Sequence, residues 1–172
     1  FIAIIGRPNV GKSTLMNCLL GEKISIISDK PQTTRNRIRG ILTLPDAQLV
    51  FLDTPGIHKP LHKMNEIMVN TALGTYNEVD VIMLLVEATE KPGAGDKFII
   101  DSLSKVSTPV ILVINKVDLI AKERLLPLMQ EYSRLANFAE IIPVSALKKD
   151  LGGLQDVIMK RMPKGPKYFP DD

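Results

Sequence analysis

The sequence predicts an α/β fold: a doubly wound, mostly parallel sheet with one antiparallel strand and helices on both faces. Three observations predict it. Strand-length apolar runs alternate with stretches whose apolar residues recur at helical spacing. The first run, Phe1-Ile2-Ala3-Ile4-Ile5, leads through Gly6-Arg7-Pro8-Asn9-Val10-Gly11-Lys12-Ser13-Thr14 into the helix-like Leu15-Met16-Asn17-Cys18-Leu19-Leu20. And two consecutive strand-like runs are separated by Pro45-Asp46, a turn that permits only antiparallel pairing.

Taken in order, Gly21 is placed to stop the first helix. Residues 22–36 show no sustained period, contain Pro31 and read as a long loop, which in a compact domain carries function. Arg37 to Leu44 and Gln48 to Leu52 are the paired strands. A second loop begins at Asp53-Thr54-Pro55-Gly56 and runs to about His62; beyond it Met64, Ile67, Met68 and Ala72 share a helical face. Val81-Ile82-Met83-Leu84-Leu85-Val86 is a continuous apolar strand, buried on both sides at mid-sheet. Asp96 is expected to cap a helix with Ile99, Leu103 and Val106 inward. Val110 to Ile114 is the next buried strand. Pro127 suits the first turn of a helix with Met129, Tyr132 and Leu135 inward. Ile141-Ile142-Pro143-Val144 is a short strand, and Leu154, Val157, Ile158 and Met162 form the last amphipathic face. Residues 1–163 therefore read as one domain, and 164–172 as a linker toward something further along.

Composition agrees. The 172 residues are 45% hydrophobic and 24% charged, ordinary for a soluble globular domain with a real core. No apolar run approaches the roughly 20 residues that span a bilayer, and no secretory leader is visible. Phe1 is no initiator Met and already lies in a strand, so more chain is expected upstream. The single cysteine, Cys18, excludes an internal disulfide, suits a reducing cytosol and reads as a small buried hydrophobe. A net charge of +3 permits nucleic-acid contact without arguing for it.

The stretch from Gly6 to Thr14 is a G-x-x-x-x-G-K-[ST] pattern with a strand before it and a helix after it. Glycines at both ends let the loop curl until successive N–H groups point at phosphate oxygens. The helix start adds free N–H groups and a positive dipole end. Arg7, Pro8, Asn9, Val10, Gly11, Lys12, Ser13 and Thr14 are thus candidate nucleotide-binding residues. Lys12 reaches the β- and γ-phosphates, Ser13 ligates Mg²⁺ and Thr14 meets the α-phosphate. A chance Gly-rich turn would not put strand and helix in register. Asp53-Thr54-Pro55-Gly56 ends a strand too: Asp53 is placed to hold Mg²⁺ through water, and the Gly56 amide to sense the γ-phosphate. A plain Pro-Gly turn leaves Asp53 unexplained.

Asn115-Lys116-Val117-Asp118 follows another strand, and here the base can be argued. A carboxylate accepts hydrogen bonds from the N1–H and 2-amino groups of guanine. Adenine lacks the amine and has an acceptor at N1, so Asp118 would face a repelled edge; such sites reject the wrong analogue by as much as about 10⁴–10⁵. Asn115 bonds the other edge and braces the phosphate loop, while the Lys116 stem packs over the ring. Ser145-Ala146-Leu147 adds an amide, that of Ala146, toward the guanine O6.

With these pieces in order, the sequence resembles the translation-factor-related GTPases, and within them the Era family. The more particular matches are Pro31-Gln32-Thr33-Thr34-Arg35-Asn36-Arg37-Ile38 and Asp53-Thr54-Pro55-Gly56-Ile57-His58-Lys59-Pro60, and the resemblance runs from Phe1 to the tail. It implies a P-loop G domain and a slow GTPase acting as a switch in small ribosomal subunit assembly. Thr33-Thr34 is then the switch I motif, with Thr34, by analogy alone, meeting Mg²⁺ and the γ-phosphate. Ras-like proteins place a water-orienting Gln where this chain has Ile57, so that role passes elsewhere. In related GTPases an asparagine at the position of Asn9 helps to hold K⁺ beside the phosphates, which implies K⁺ stimulation here; an ordinary loop asparagine is the plainer alternative. Lys12, Thr34, Gly56 and Asn9 are the implied catalytic residues, with Ser13, Thr34 and Asp53 on Mg²⁺ and Asn9 on K⁺.

In that family a C-terminal KH domain binds small-subunit ribosomal RNA. No Gly-x-x-Gly helix pair is present here, so this chain is expected to keep activity but not to bind RNA tightly by itself. The implied location is the cytoplasm, with peripheral contact at the inner membrane face left open. Arg35, Arg37 and Arg39 fit RNA phosphates or a solvated strand edge equally. His58 and His62 read as exposed loop residues, not a zinc pair. Rival readings are the G domain of a tRNA-modification or double-G-domain ribosome factor, a P-loop ATPase or kinase, and a GTP-binding scaffold that does not hydrolyse.

Overall fold

The computed structural model describes residues 1–7, 10–21, 37–44, 47–53 and 76–162. They form a six-stranded sheet: β1 (Ile2–Gly6), β2 (Arg37–Leu44), β3 (Ala47–Asp53), β4 (Val81–Glu87), β5 (Val110–Asn115) and β6 (Glu140–Pro143), in the order β2-β3-β1-β4-β5-β6. Only β2 and β3 pair antiparallel, with a register shift at Ile38/Gly40; the other neighbours are parallel. The expected fold class is the observed one. β1 lies between β3 and β4, so the chain changes direction of travel across the sheet beside β1. In open α/β sheets that switch point is where ligands sit.

Because successive strand residues point to opposite faces, each strand contributes to two cores. Ile2, Ile4, Phe51, Met83, Leu85, Ile111 and Val113 face one way. They are covered there by Leu15, Met16, Leu19 and Leu20 of α1 (Lys12–Leu20) and by Leu154 and Ile158 of α4 (Leu154–Lys160). On the other face, Ala3, Ile5, Leu52, Ile82, Leu84, Val86, Leu112 and Ile114 meet Ile99, Ile100 and Leu103 of α2 (Ala94–Leu103) and Leu128 and Tyr132 of α3 (Lys122–Ser133). At Gly40 β2 passes close under α1: a side chain there would collide with Leu20.

The helices correct four expectations. Asp96 does not precede its helix. Gly93 is the cap residue, and Asp96, inside the first turn, reaches back to accept the Gly93 N–H at 3.2 Å; Val106 lies beyond the helix end. Pro127 sits a full turn deeper in α3 than the first-turn preference suggested. A proline there removes one helical hydrogen bond, at about 3 kcal/mol. Burying Leu128 and Tyr132 offsets this, since a large apolar side chain contributes about 1.5–3 kcal/mol. Leu128 therefore takes the inward place expected of Leu135, which is 37% exposed. Cys18 is half-buried, and Gly21 does terminate α1.

The loop of 22–36, the turn at Pro45-Asp46, the second loop after Asp53 with its following helix, and the tail 164–172 lie outside the described residues. So do Pro8, Asn9, Thr34, Arg35, Gly56, Ile57, His58 and His62.

Candidate nucleotide-binding site

The carboxyl ends of β1, β3, β4 and β5 bring the candidate residues to one edge of the sheet. After β1, Gly11 takes a left-handed backbone, φ 93°, and its carbonyl accepts the Leu15 N–H at 2.9 Å to start α1. Lys12 is half-buried at the first helical position, and Ser13 and Thr14 are exposed in the first turn. That turn carries no acidic residue. A helix start without an acid of its own keeps its positive dipole end available to an anion. Asp53 closes β3 beside β1, in register with Ile4.

The base-side residues converge on Asn115, at the end of β5 and 3% exposed. Its Nδ2 donates to the Val10 carbonyl in the phosphate loop at 3.0 Å. Its Oδ1 accepts the Ala146 N–H at 3.1 Å. The expected brace is thus present, and the Ala146 amide, expected to face a base, also serves the brace. Gly11 must be glycine on two counts, since a Cβ would collide with Asn115 Nδ2 and strain the left-handed backbone. The Ser145 hydroxyl donates to Asp118 Oδ1 at 2.7 Å, orienting that carboxylate while leaving Asp118 exposed. Leu147, 75% exposed, lies just beyond. Segments far apart in sequence are so fastened together: the loop of Val10 and Gly11 on one side, the Asp118 carboxylate on the other.

Comparison with known proteins fits this geometry. Residues 1–116 match the family model described as 50S ribosome-binding GTPase. This chain belongs to that GTPase family. It is similar to GTPase Era of Heliobacterium modesticaldum, 56% identical over 99% of this chain and 57% of that protein. Among solved structures it resembles a variant of Aquifex aeolicus Era bound to GDP·AlF4⁻ (TM-score 0.77, 42% identity, 99% of this chain and 59% of that one). It also resembles Era in complex with MgGDPNP and nucleotides 1506–1542 of 16S ribosomal RNA (TM-score 0.78, 43% identity, again 99% and 59%). The chain thus spans a little under three fifths of these relatives' length, and its architecture is the P-loop G-domain fold. No helix among the described residues is long and apolar enough to cross a membrane.

Three ion pairs of this GTPase-family chain, two of them on Arg7, were not legible beforehand. Arg7, a candidate nucleotide-binding residue, has its guanidinium engaged by acids: Nε donates to Asp96 Oδ1 at 2.8 Å and Nη2 to Glu90 Oε2 at 3.1 Å. The Glu90 bond, chiefly, raises the Arg7 pKa against the opposing effect of burial. Asp96 is 3% exposed and caps α2 with its other oxygen, so the entrance to the phosphate loop is tied to the start of that helix. The third pair joins Lys116 Nζ to Glu87 Oε2 at 2.7 Å. Its hydrogen bond holds the Glu87 carboxyl below the usual range, against the upward push of burial. Only proximity in the fold reveals these pairs.

Proposed function

We propose that this chain is the G domain of an Era-like switch, binding GTP and GDP and slowly hydrolysing GTP, with Asp118 selecting guanine. The observation that carries the reading is the Asn115 side chain, which bonds both the phosphate loop and the Ala146 amide. It sets the phosphate cradle and the base-reading carboxylate at one fixed spacing. The phosphate-loop amides and Lys12 bind the β- and γ-phosphates and stabilise charge that develops there as the terminal bond breaks. Ser13 and Asp53, with Thr34 in the GTP state, are the residues that would hold Mg²⁺. A hydroxyl and a carboxylate are hard oxygen donors of the kind this ion takes, and when bound it neutralises phosphate charge. The Era relative with MgGDPNP supports this assignment. Isothermal titration calorimetry tests the reading: GTP and GDP should bind, and ATP should compete at least about 10³-fold more weakly. Comparable affinity for ATP would overturn it.

Ile57 has no group to orient water, so hydrolysis needs charge from elsewhere. Asn9 holding K⁺ beside the phosphates supplies it. The rate of phosphate release should rise in K⁺ over Na⁺, and Asn9→Ala should abolish the difference; equal rates in the two salts would end the K⁺ assignment.

In the whole protein, residues 1–163 are the G domain and 164–172 begin a linker toward a KH domain that binds small-subunit ribosomal RNA. The Era relative in complex with a 16S fragment supports the small subunit, although the family description names the large one. The protein acts in the cytoplasm.

A further inference from the structure

We propose that Glu87 is a positioning residue for Lys116. It fixes the lysine ammonium so that the aliphatic stem lies against the phosphate-loop glycine and covers one face of the guanine. The inference rests on the guanine-nucleotide reading above and adds to it a residue that none of the nucleotide motifs contains.

Register comes first. Glu87 closes β4 directly beside Asn115 at the end of β5, so the carboxylate emerges next to the residue that precedes Lys116. The ammonium donates to Glu87 Oε2 at 2.7 Å, while the Thr89 hydroxyl donates to Oε1 at 3.0 Å. With both oxygens held, the carboxylate cannot swing away, unlike the usual surface ion pair of two mobile side chains. The Glu87 side chain is 15% exposed and that of Lys116 33%.

Lys116 also needs holding. Its backbone is left-handed, φ 66°, a region that L residues occupy when surrounding contacts over-determine it. The Lys116 carbonyl accepts the Leu119 N–H at 3.0 Å, and the next amide, of Val117, donates to Val144 at 3.3 Å. Those bonds fix the main chain. Glu87 fixes the other end, and between the two the stem crosses the phosphate loop, its Cε 4.0 Å from where a Cβ on Gly11 would stand. An aliphatic stem held there is a lid on the ring plane, made of methylene groups.

The test measures release of a fluorescent GDP by stopped flow from the chain and its variants. Glu87→Ala should speed release about tenfold, the usual effect of losing one charge-assisted hydrogen bond. Glu87→Gln, which keeps one acceptor oxygen for Lys116 and turns its NH₂ toward the Thr89 hydroxyl, should fall between the two. The melting temperature of the nucleotide-free protein should move little for either variant. Release from Glu87→Ala at the parental rate would overturn the proposal. So would a melting temperature that collapses in both variants in step with release, since Glu87 would then merely hold the fold together. Failure of the parental protein to prefer GDP over ADP would instead sink the guanine reading itself, before any variant is made.

Discussion

Asp118→Asn should exchange guanine for xanthine nucleotides. The Asp118 carboxylate is exposed, but it is not loose: the Ser145 hydroxyl donates to its Oδ1 at 2.7 Å. An asparagine oxygen can accept that same bond, so the loop should keep its shape and the melting temperature should stay put. What changes is the edge shown to the base. The amide now points N–H groups where guanine also has donors, at N1 and the 2-amino group. Two hydrogen bonds to a charged acceptor are lost, each contributing about 1.5–3 kcal/mol. At 1.4 kcal/mol per tenfold, affinity for GTP and GDP should fall roughly 10²- to 10⁴-fold. Xanthine carries a carbonyl in place of the amine and can accept from the new amide, so XTP should bind the variant better than GTP does. Calorimetry with the four pairings of protein and nucleotide reads the result. Unchanged GTP affinity in the variant, with parental stability, would show that Asp118 does not touch the base.

The sheet was legible in the sequence because its central strands are buried on both faces. Val81 to Val86 and Val110 to Ile114 are unbroken apolar runs with no other economical reading, and the charged or polar residue ending each, Glu87 or Asn115, marks the sheet edge. The candidate site was legible for a related reason: its motifs are runs of consecutive residues, so Asn115 and Asp118 stood out as candidates without a partner in view, and the fold brings them together with Ala146 and Ser145. What escaped was either set by competition or by distance. The start of α3 has no side-chain cap to announce it, so Pro127 was the only visible punctuation, and tertiary burial of Leu128 and Tyr132 overrode it. Glu87 and Lys116 are 29 residues apart and Arg7 and Asp96 are 89 apart. In a chain with interspersed charges, nothing pairs such an acid with its basic partner until the fold brings them together.

Asn115→Ala should damage folding and binding together. The side chain is buried and uses both ends, Nδ2 toward the Val10 carbonyl and Oδ1 toward the Ala146 N–H. Alanine leaves an acceptor and a donor without partners in a region closed to solvent, at about 1–3 kcal/mol for each. A net loss of about 3 kcal/mol lowers the melting temperature of a domain this size by roughly 6–12 °C. The bonds run from protein to protein, so the drop should appear in nucleotide-free and nucleotide-loaded protein alike. Gly11→Ala attacks the same junction from the other side, pushing a Cβ into Nδ2, and should mimic the loss. Asn115→Asp discriminates further. It retains an acceptor for the Ala146 amide but turns an anionic oxygen toward the Val10 carbonyl, so it should destabilise as much as alanine does. Melting temperatures by calorimetry and GDP affinity by titration check all three. A drop seen only when nucleotide is bound would mean that Asn115 acts on the ligand alone. A drop in both states would mean that the spacing between phosphate cradle and base reader is a property of the folded chain, ready before the nucleotide arrives.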